Sequence, residues 1–80
     1  VSSSKKNLEQ ALGDIIRSRR EELGLSQEQF AFECGLHRTY ISQLERGHKS
    51  PTLRVLFLIA AALEMPPDEI VRLAHSTLKK

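Results

Sequence analysis

The sequence predicts an all-α domain of five helices, and three observations carry that prediction. Apolar residues recur at spacings of three and four along the chain, and no segment resembles a strand hairpin, a repeat or a low-complexity linker. Helix start and stop signals divide this pattern into short pieces. The chain has 80 residues, enough for one compact domain and not for two. With 40% hydrophobic and 28% charged residues it sits among soluble globular proteins, away from the disordered extreme. Aromatics are few (Phe30, Phe32, Phe57 and Tyr40), so aliphatic side chains must do most of the packing. The lone Cys34 excludes an internal disulfide framework.

Residues 1–7, polar and with three consecutive serines, are expected to form a flexible N-terminal arm ahead of a domain over residues 8–78. Asn7, with Gln10 three residues on, fits a helix start. Leu8, Ala11, Leu12, Ile15, Ile16 and Leu23 then follow at helical spacing to a stop at Gly24, giving a first helix over about residues 8–23. Ser26 and Gln29 form a second capping box. It opens a short helix with Phe30, Ala31 and Cys34 inward, ended by Gly35. A third helix runs over about residues 38–45, with Tyr40, Ile41 and Leu44 inward, and stops at Gly47. Two short helices joined by Gly35-Leu36-His37 have the sequence form of a helix-turn-helix. Ser50 as cap and Pro51 at the first helical position start a fourth helix that runs to about Leu63. Met65-Pro66-Pro67 breaks it. Asp68 and Glu69 then suit the first turn of a fifth helix, whose apolar stripe is Ile70, Leu73, Ala74 and Leu78.

Charge is unevenly spread. Residues 36–54 carry Arg38, Arg46, Lys49 and Arg54 against Glu45, with His37 and His48 beside them, whereas acidic residues predominate on both sides of that stretch. Such a central basic stripe is either a solvated face or the electrostatic footprint of a nucleic-acid binder.

The run Arg20 to Ala31, then Gly35-Leu36, then Tyr40 to Gly47, then Pro51 and Leu63, resembles the helix-turn-helix domains of phage repressors and Cro, the XRE family, over roughly residues 9–73. The resemblance implies a five-helix, lambda-repressor-like DNA-binding domain whose helix-turn-helix is made by helices 2 and 3. In such a fold the second helix of the motif lies in the major groove. Ile41 and Leu44 would anchor it, leaving Arg38, Thr39, Ser42 and Gln43 outward as base contacts. Arg suits a guanine's O6 and N7, and Gln an adenine's N6 and N7. Gln27, His37, Tyr40, Arg46, His48 and Lys49 are the expected phosphate contacts, which fix register rather than sequence. His37 departs from the family, where a capping Ser is usual. Pro66-Pro67 departs too, giving the fifth helix a proline start in place of a capping hydroxyl. Arg20 and Glu45 stand where the family forms a structural ion pair between helix 1 and the recognition helix.

The fourth helix is too apolar for a single-faced core helix. Leu53, Leu56, Ile59, Ala60 and Leu63 match the family's inward positions, yet Val55, Leu58 and Ala61 stand where polar residues are more common. An apolar surplus of this kind marks a partner surface. A homodimer is therefore expected, with Leu58, Ala61, Met65, Ile70 and Leu73 at its interface. It would read a pseudo-palindromic operator with half-sites about 34–36 Å apart.

Together these readings point to a sequence-specific transcriptional regulator of double-stranded DNA. Its small size and Arg38-Thr39-Tyr40-Ile41-Ser42 are similar to restriction–modification controller proteins. Glu28 and Glu33 read first as a solvated acidic face, and as contacts to RNA polymerase if the protein activates transcription. The rival reading is a protein-interaction module, antitoxin-like or coactivator-like, in which the motif no longer reads bases; the outward Arg38 and Gln43 argue against it. No metal site is expected, because His37, His48 and His75 are scattered and Cys34 lacks a ligand pattern. No cofactor, small-molecule ligand or enzymatic activity is expected. A cytoplasmic location is expected, since no secretory signal is evident and Leu53–Leu63 is about half the length of a membrane span.

Overall fold

The structure, a computed structural model, describes residues 6–79. Its helices are α1 (Leu8–Glu22), α2 (Gln27–Cys34), α3 (Arg38–Glu45), α4 (Leu53–Leu63) and α5 (Pro67–Leu78). There are no strands among the described residues. The expected arm lies mostly outside them. Of its last two residues, Lys6 pairs with Asp14 and Asn7 caps α1.

Local chemistry sets the helix boundaries. Asn7 Oδ1 accepts from the Gln10 amide at 2.8 Å and Gln10 Oε1 accepts from the Asn7 amide at 3.0 Å, so two orphan donors are satisfied at once. Ser26 and Gln29 repeat the arrangement at the start of α2. Gly35 ends α2 at φ 72°, a left-handed conformation that glycine adopts without a Cβ clash. The N-cap of α3 is His37, which makes no side-chain cap hydrogen bond.

The start of α4 differs from expectation. Its cap is Thr52, not Ser50, and Thr52 Oγ1 accepts from the Val55 amide at 3.2 Å. Pro51 stays outside the helix and lines a groove with Leu8, Leu12 and Leu56. That placement gives the ring apolar neighbours, and the second hydroxyl in the segment takes over the capping. Pro66 and Pro67 begin α5 with no side-chain cap, and Asp68 and Glu69 occupy its first turn.

All five helices feed one core. Ile16, Phe30, Ile41, Leu44, Ile59, Leu63 and Ile70 are fully buried. Phe30 is the only phenylalanine inside, while Phe32 and Phe57 are 87% and 55% exposed. Two placements overturn sequence expectations. Leu53, expected inward, is 71% exposed, because it is the first residue of α4 and lies at the edge of the arc that Leu56, Ile59 and Leu63 direct to the core. Ile70, expected at a dimer interface, is fully buried, because α5 turns that position inward and spends it on the protomer's own core.

Candidate nucleic-acid interface

Helix α3 separates into two sides. At about 100° per residue, Tyr40, Ile41, Leu44 and Glu45 fall on one arc, and Arg38, Thr39, Ser42 and Gln43 fall on the other. Ile41, Leu44 and Glu45 are buried, and Tyr40 is half-buried against the core. Arg38 and Thr39 are exposed, and Ser42 and Gln43 are partly so. The side chains of Arg38, Thr39 and Gln43 make no hydrogen bonds among the described residues, which leaves their donors and acceptors for a partner. His37, Arg46, His48 and Lys49 are exposed at the two ends of the helix. Arg46 Nε donates to the Ser42 carbonyl at 3.4 Å, a long bond that leaves most of the guanidinium outward.

Three contacts hold this helix in place. The first is Arg20 on Glu45: Nε donates to Oε2 at 2.6 Å and Nη2 to Oε1 at 2.9 Å, a bidentate fork. Their side chains are only 10% and 2% exposed. The Glu45 hydrogen bond and charge, opposed in part by burial, raise the Arg20 pKa above its ordinary value. Arg20 Nη1 also donates to the Leu25 carbonyl at 2.8 Å, tying in the α1–α2 turn. The second is Gly13, where a Cβ would stand 2.5 Å from the Leu44 carbonyl oxygen and 2.6 Å from that of Glu45. The backbone of α1 therefore sits directly on the end of α3. The third is Gln27, whose Nε2 donates to Glu45 Oε1 at 3.1 Å. Gln27 is thus joined to α3 as well as opening α2. Sequence reasoning missed both Gly13 and the Gln27 bond. A lone glycine in a helical pattern carries no local signal, and the Gln27 bond joins residues 18 positions apart. Arg19 was missed as well: its Nε donates to the Leu63 carbonyl at 2.9 Å and closes the end of α4.

Exposed apolar side chains lie on α4, at Phe32, and along a groove with Leu8, Val71 and Leu78. Leu53, Phe57, Leu58 and Ala61 share the outer arc of α4 with Arg54. Met65 and Leu73 are half-buried and line a separate groove of about 450 Å³ between α1 and α5. Phe57 and Leu53 were not among the expected interface residues, although the repeat of four that joins them and Ala61 is visible in the sequence. No helix of the described residues is long and apolar enough to cross a membrane, and no cluster of three potential metal ligands is present among them.

Comparisons with known proteins agree with this geometry. A helix-turn-helix family model matches residues 16–70. The control protein C.BamHI of Bacillus amyloliquefaciens is 39% identical over 66 residues, covering 81% of this chain and 82% of the relative. The restriction-modification controller protein C.AhdI from Aeromonas hydrophila superposes with a TM-score of 0.74 at 38% identity, over 76% of this chain and 92% of that one. The controller protein C.Esp1396I, solved as a tetramer in complex with its natural 35 base-pair operator, superposes with a TM-score of 0.81 at 31% identity, over 94% of this chain and 99% of that one. The five-helix fold, the split of α3 into a buried and an open side, and these likenesses place the chain in the XRE-type helix-turn-helix family, alongside restriction-modification controller proteins and helix-turn-helix transcriptional regulators.

Proposed function

We propose that the protein is a sequence-specific, double-stranded DNA-binding transcriptional regulator of the restriction–modification controller kind, acting in the cytoplasm as a homodimer on a pseudo-palindromic operator. One observation carries the reading: the outer arc of α3 presents Arg38, Thr39, Ser42 and Gln43 while the inner arc is clamped by the core and by Arg20–Glu45. A helix so held projects polar groups at a fixed angle, as readout of base edges requires. Gln27, His37, Tyr40, Arg46, His48 and Lys49 supply the backbone contacts in this reading. The N–H groups of the first turn of α2 favour a phosphate beside Gln27. The outer face of α4 supplies the dimer contact. Glu28 and Glu33 flank the exposed Phe32 as a solvated acidic face, which would meet RNA polymerase if the protein activates transcription.

Selection of bound fragments from random duplex DNA tests the reading. The expected product is a twofold-related pair of half-sites. Arg38→Ala and Gln43→Ala should each cost about 1–3 kcal/mol and relax preference at one position per half-site. Lys49→Ala should weaken every duplex alike and lower the salt slope by about 0.9. Equal affinity for all duplexes, or none for any, sinks the reading.

A further inference from the structure

We propose that Glu45 is a positioning residue for the DNA-backbone contact, acting through Gln27, besides tying α1 to α3; this rests on the reading of Gln27 as a phosphate contact. Glu45 Oε1 accepts from both Arg20 Nη2 at 2.9 Å and Gln27 Nε2 at 3.1 Å, while Oε2 accepts from Arg20 Nε at 2.6 Å. Both oxygens are therefore occupied as acceptors, and the carboxylate has no proton to offer.

An acceptor-only partner decides which way the Gln27 amide faces. With its carbonyl turned inward, Oε1 would meet a carboxylate oxygen with no hydrogen between them. The NH2 group must face Glu45 instead. That group has two protons. One is committed to Glu45, and the other remains on the half-buried side chain at the start of α2. The same first turn already assigns its Gln29 amide to Ser26 Oγ at 3.0 Å. The free Nε2–H thus stands beside the open end of a helix, where an anion is favoured. Arg20 neutralises Glu45, so the bridge adds no net negative charge next to a phosphate. Because the glutamine rotamer is fixed before binding, less side-chain freedom is lost when DNA arrives. One carboxylate accordingly sets both the angle of the reading helix and the donor that fixes its register.

The test measures affinity against salt concentration for wild type, Gln27→Ala, Glu45→Gln and the double variant, on a duplex recovered by selection with the wild-type protein. Gln27→Ala should weaken binding about tenfold while leaving the salt slope close to the wild-type value, because a neutral amide displaces no counterion. Glu45→Gln should weaken binding as well, and the double variant should lose clearly less than the sum of the two single losses. In the wild-type protein, the Gln27 side-chain amide should show one exchange-protected proton, and DNA should shift the other. Losses that simply add leave Glu45 with a fold-holding role and overturn the proposal. An unchanged affinity in Gln27→Ala removes the phosphate contact and the proposal together, while the wild-type salt slope reports separately on DNA binding. Should Glu45→Gln fail to fold, the wild-type resonances decide: two rapidly exchanging Gln27 amide protons overturn it.

Discussion

At Gly13 the backbone of α1 rests on the last two carbonyls of α3, and no side chain fits between them. Alanine in a helix interior is ordinarily favoured over glycine by about 1 kcal/mol. Here the added methyl would overlap backbone atoms, which cannot rotate away as a flexible side chain does. Gly13→Ala should therefore destabilise the fold by about 2 kcal/mol, measured by chemical denaturation, and weaken operator binding further by moving α3. Nothing local in the sequence marks this residue, because its constraint is purely tertiary. Cys34 is the opposite case, a side chain whose environment is visible in its chemistry. Burial first, and the charge of Glu33 second, push its thiol up to about 11 from an ordinary 9.0. Between those values an unfolded chain has lost the proton and the folded chain keeps it. The folded state then binds more protons, so stability falls as pH rises through this window, by about 2–3 kcal/mol in all. Melting curves of wild type and Cys34→Ala between pH 8 and 11 should diverge, with the wild type falling more steeply. At neutral pH the buried thiol should resist alkylation until the domain opens.

Among the helices, those with self-contained signals were legible in the sequence. The capping boxes at Asn7–Gln10 and Ser26–Gln29, the left-handed Gly35, and the proline start of α5 all form as their local chemistry requires. Each depends on residues within about one helical turn of one another. The start of α4 was less legible, since Ser50 and Thr52 both offer a capping oxygen; Thr52 caps the helix, and Pro51 lines a groove with Leu8, Leu12 and Leu56. Thr52→Ala should accordingly cost about 1 kcal/mol of stability, whereas Ser50→Ala should be nearly silent. The reverse ranking in thermal melts would restore Ser50 as the cap. The same shift in the start of α4 explains Leu53. As the first helical residue it overhangs the core and joins Phe57 and Ala61 on the outer side. In α3, the division into inner and outer arcs was legible from periodicity. The clamp of Gln27 on Glu45 was not, because hydrogen-bond partners on separate helices leave no spacing to detect.

For the molecule as a whole, the size of α3 bears on the proposed dimer. Eight residues of helix extend about 12 Å, so one copy spans only a few base pairs. Two copies related by a twofold axis would place two such helices about 34–36 Å apart along the groove. The protomer extends 39 Å along its longest axis and 23 Å along the others, so neighbouring copies can meet that spacing while touching. Of the exposed apolar surfaces, the outer arc of α4 suits the contact, because Leu53, Phe57, Leu58 and Ala61 lie together there beside Arg54. A carboxylate in the middle of a dry contact would be left without a partner. Phe57→Glu and Leu58→Glu should each give a monomer in sedimentation while leaving the protomer's helix content unchanged. Their affinity for the full operator should drop about a hundredfold, and their affinity for an isolated half-site should stay close to wild type. Val71 offers the control, since it lies on the other apolar surface, the groove it shares with Leu8, Pro51 and Leu78. Val71→Glu should leave the dimer intact. If Val71→Glu separates the subunits and Phe57→Glu does not, the twofold axis runs beside α5 instead, and the two reading helices would be set at a different angle and spacing on the operator.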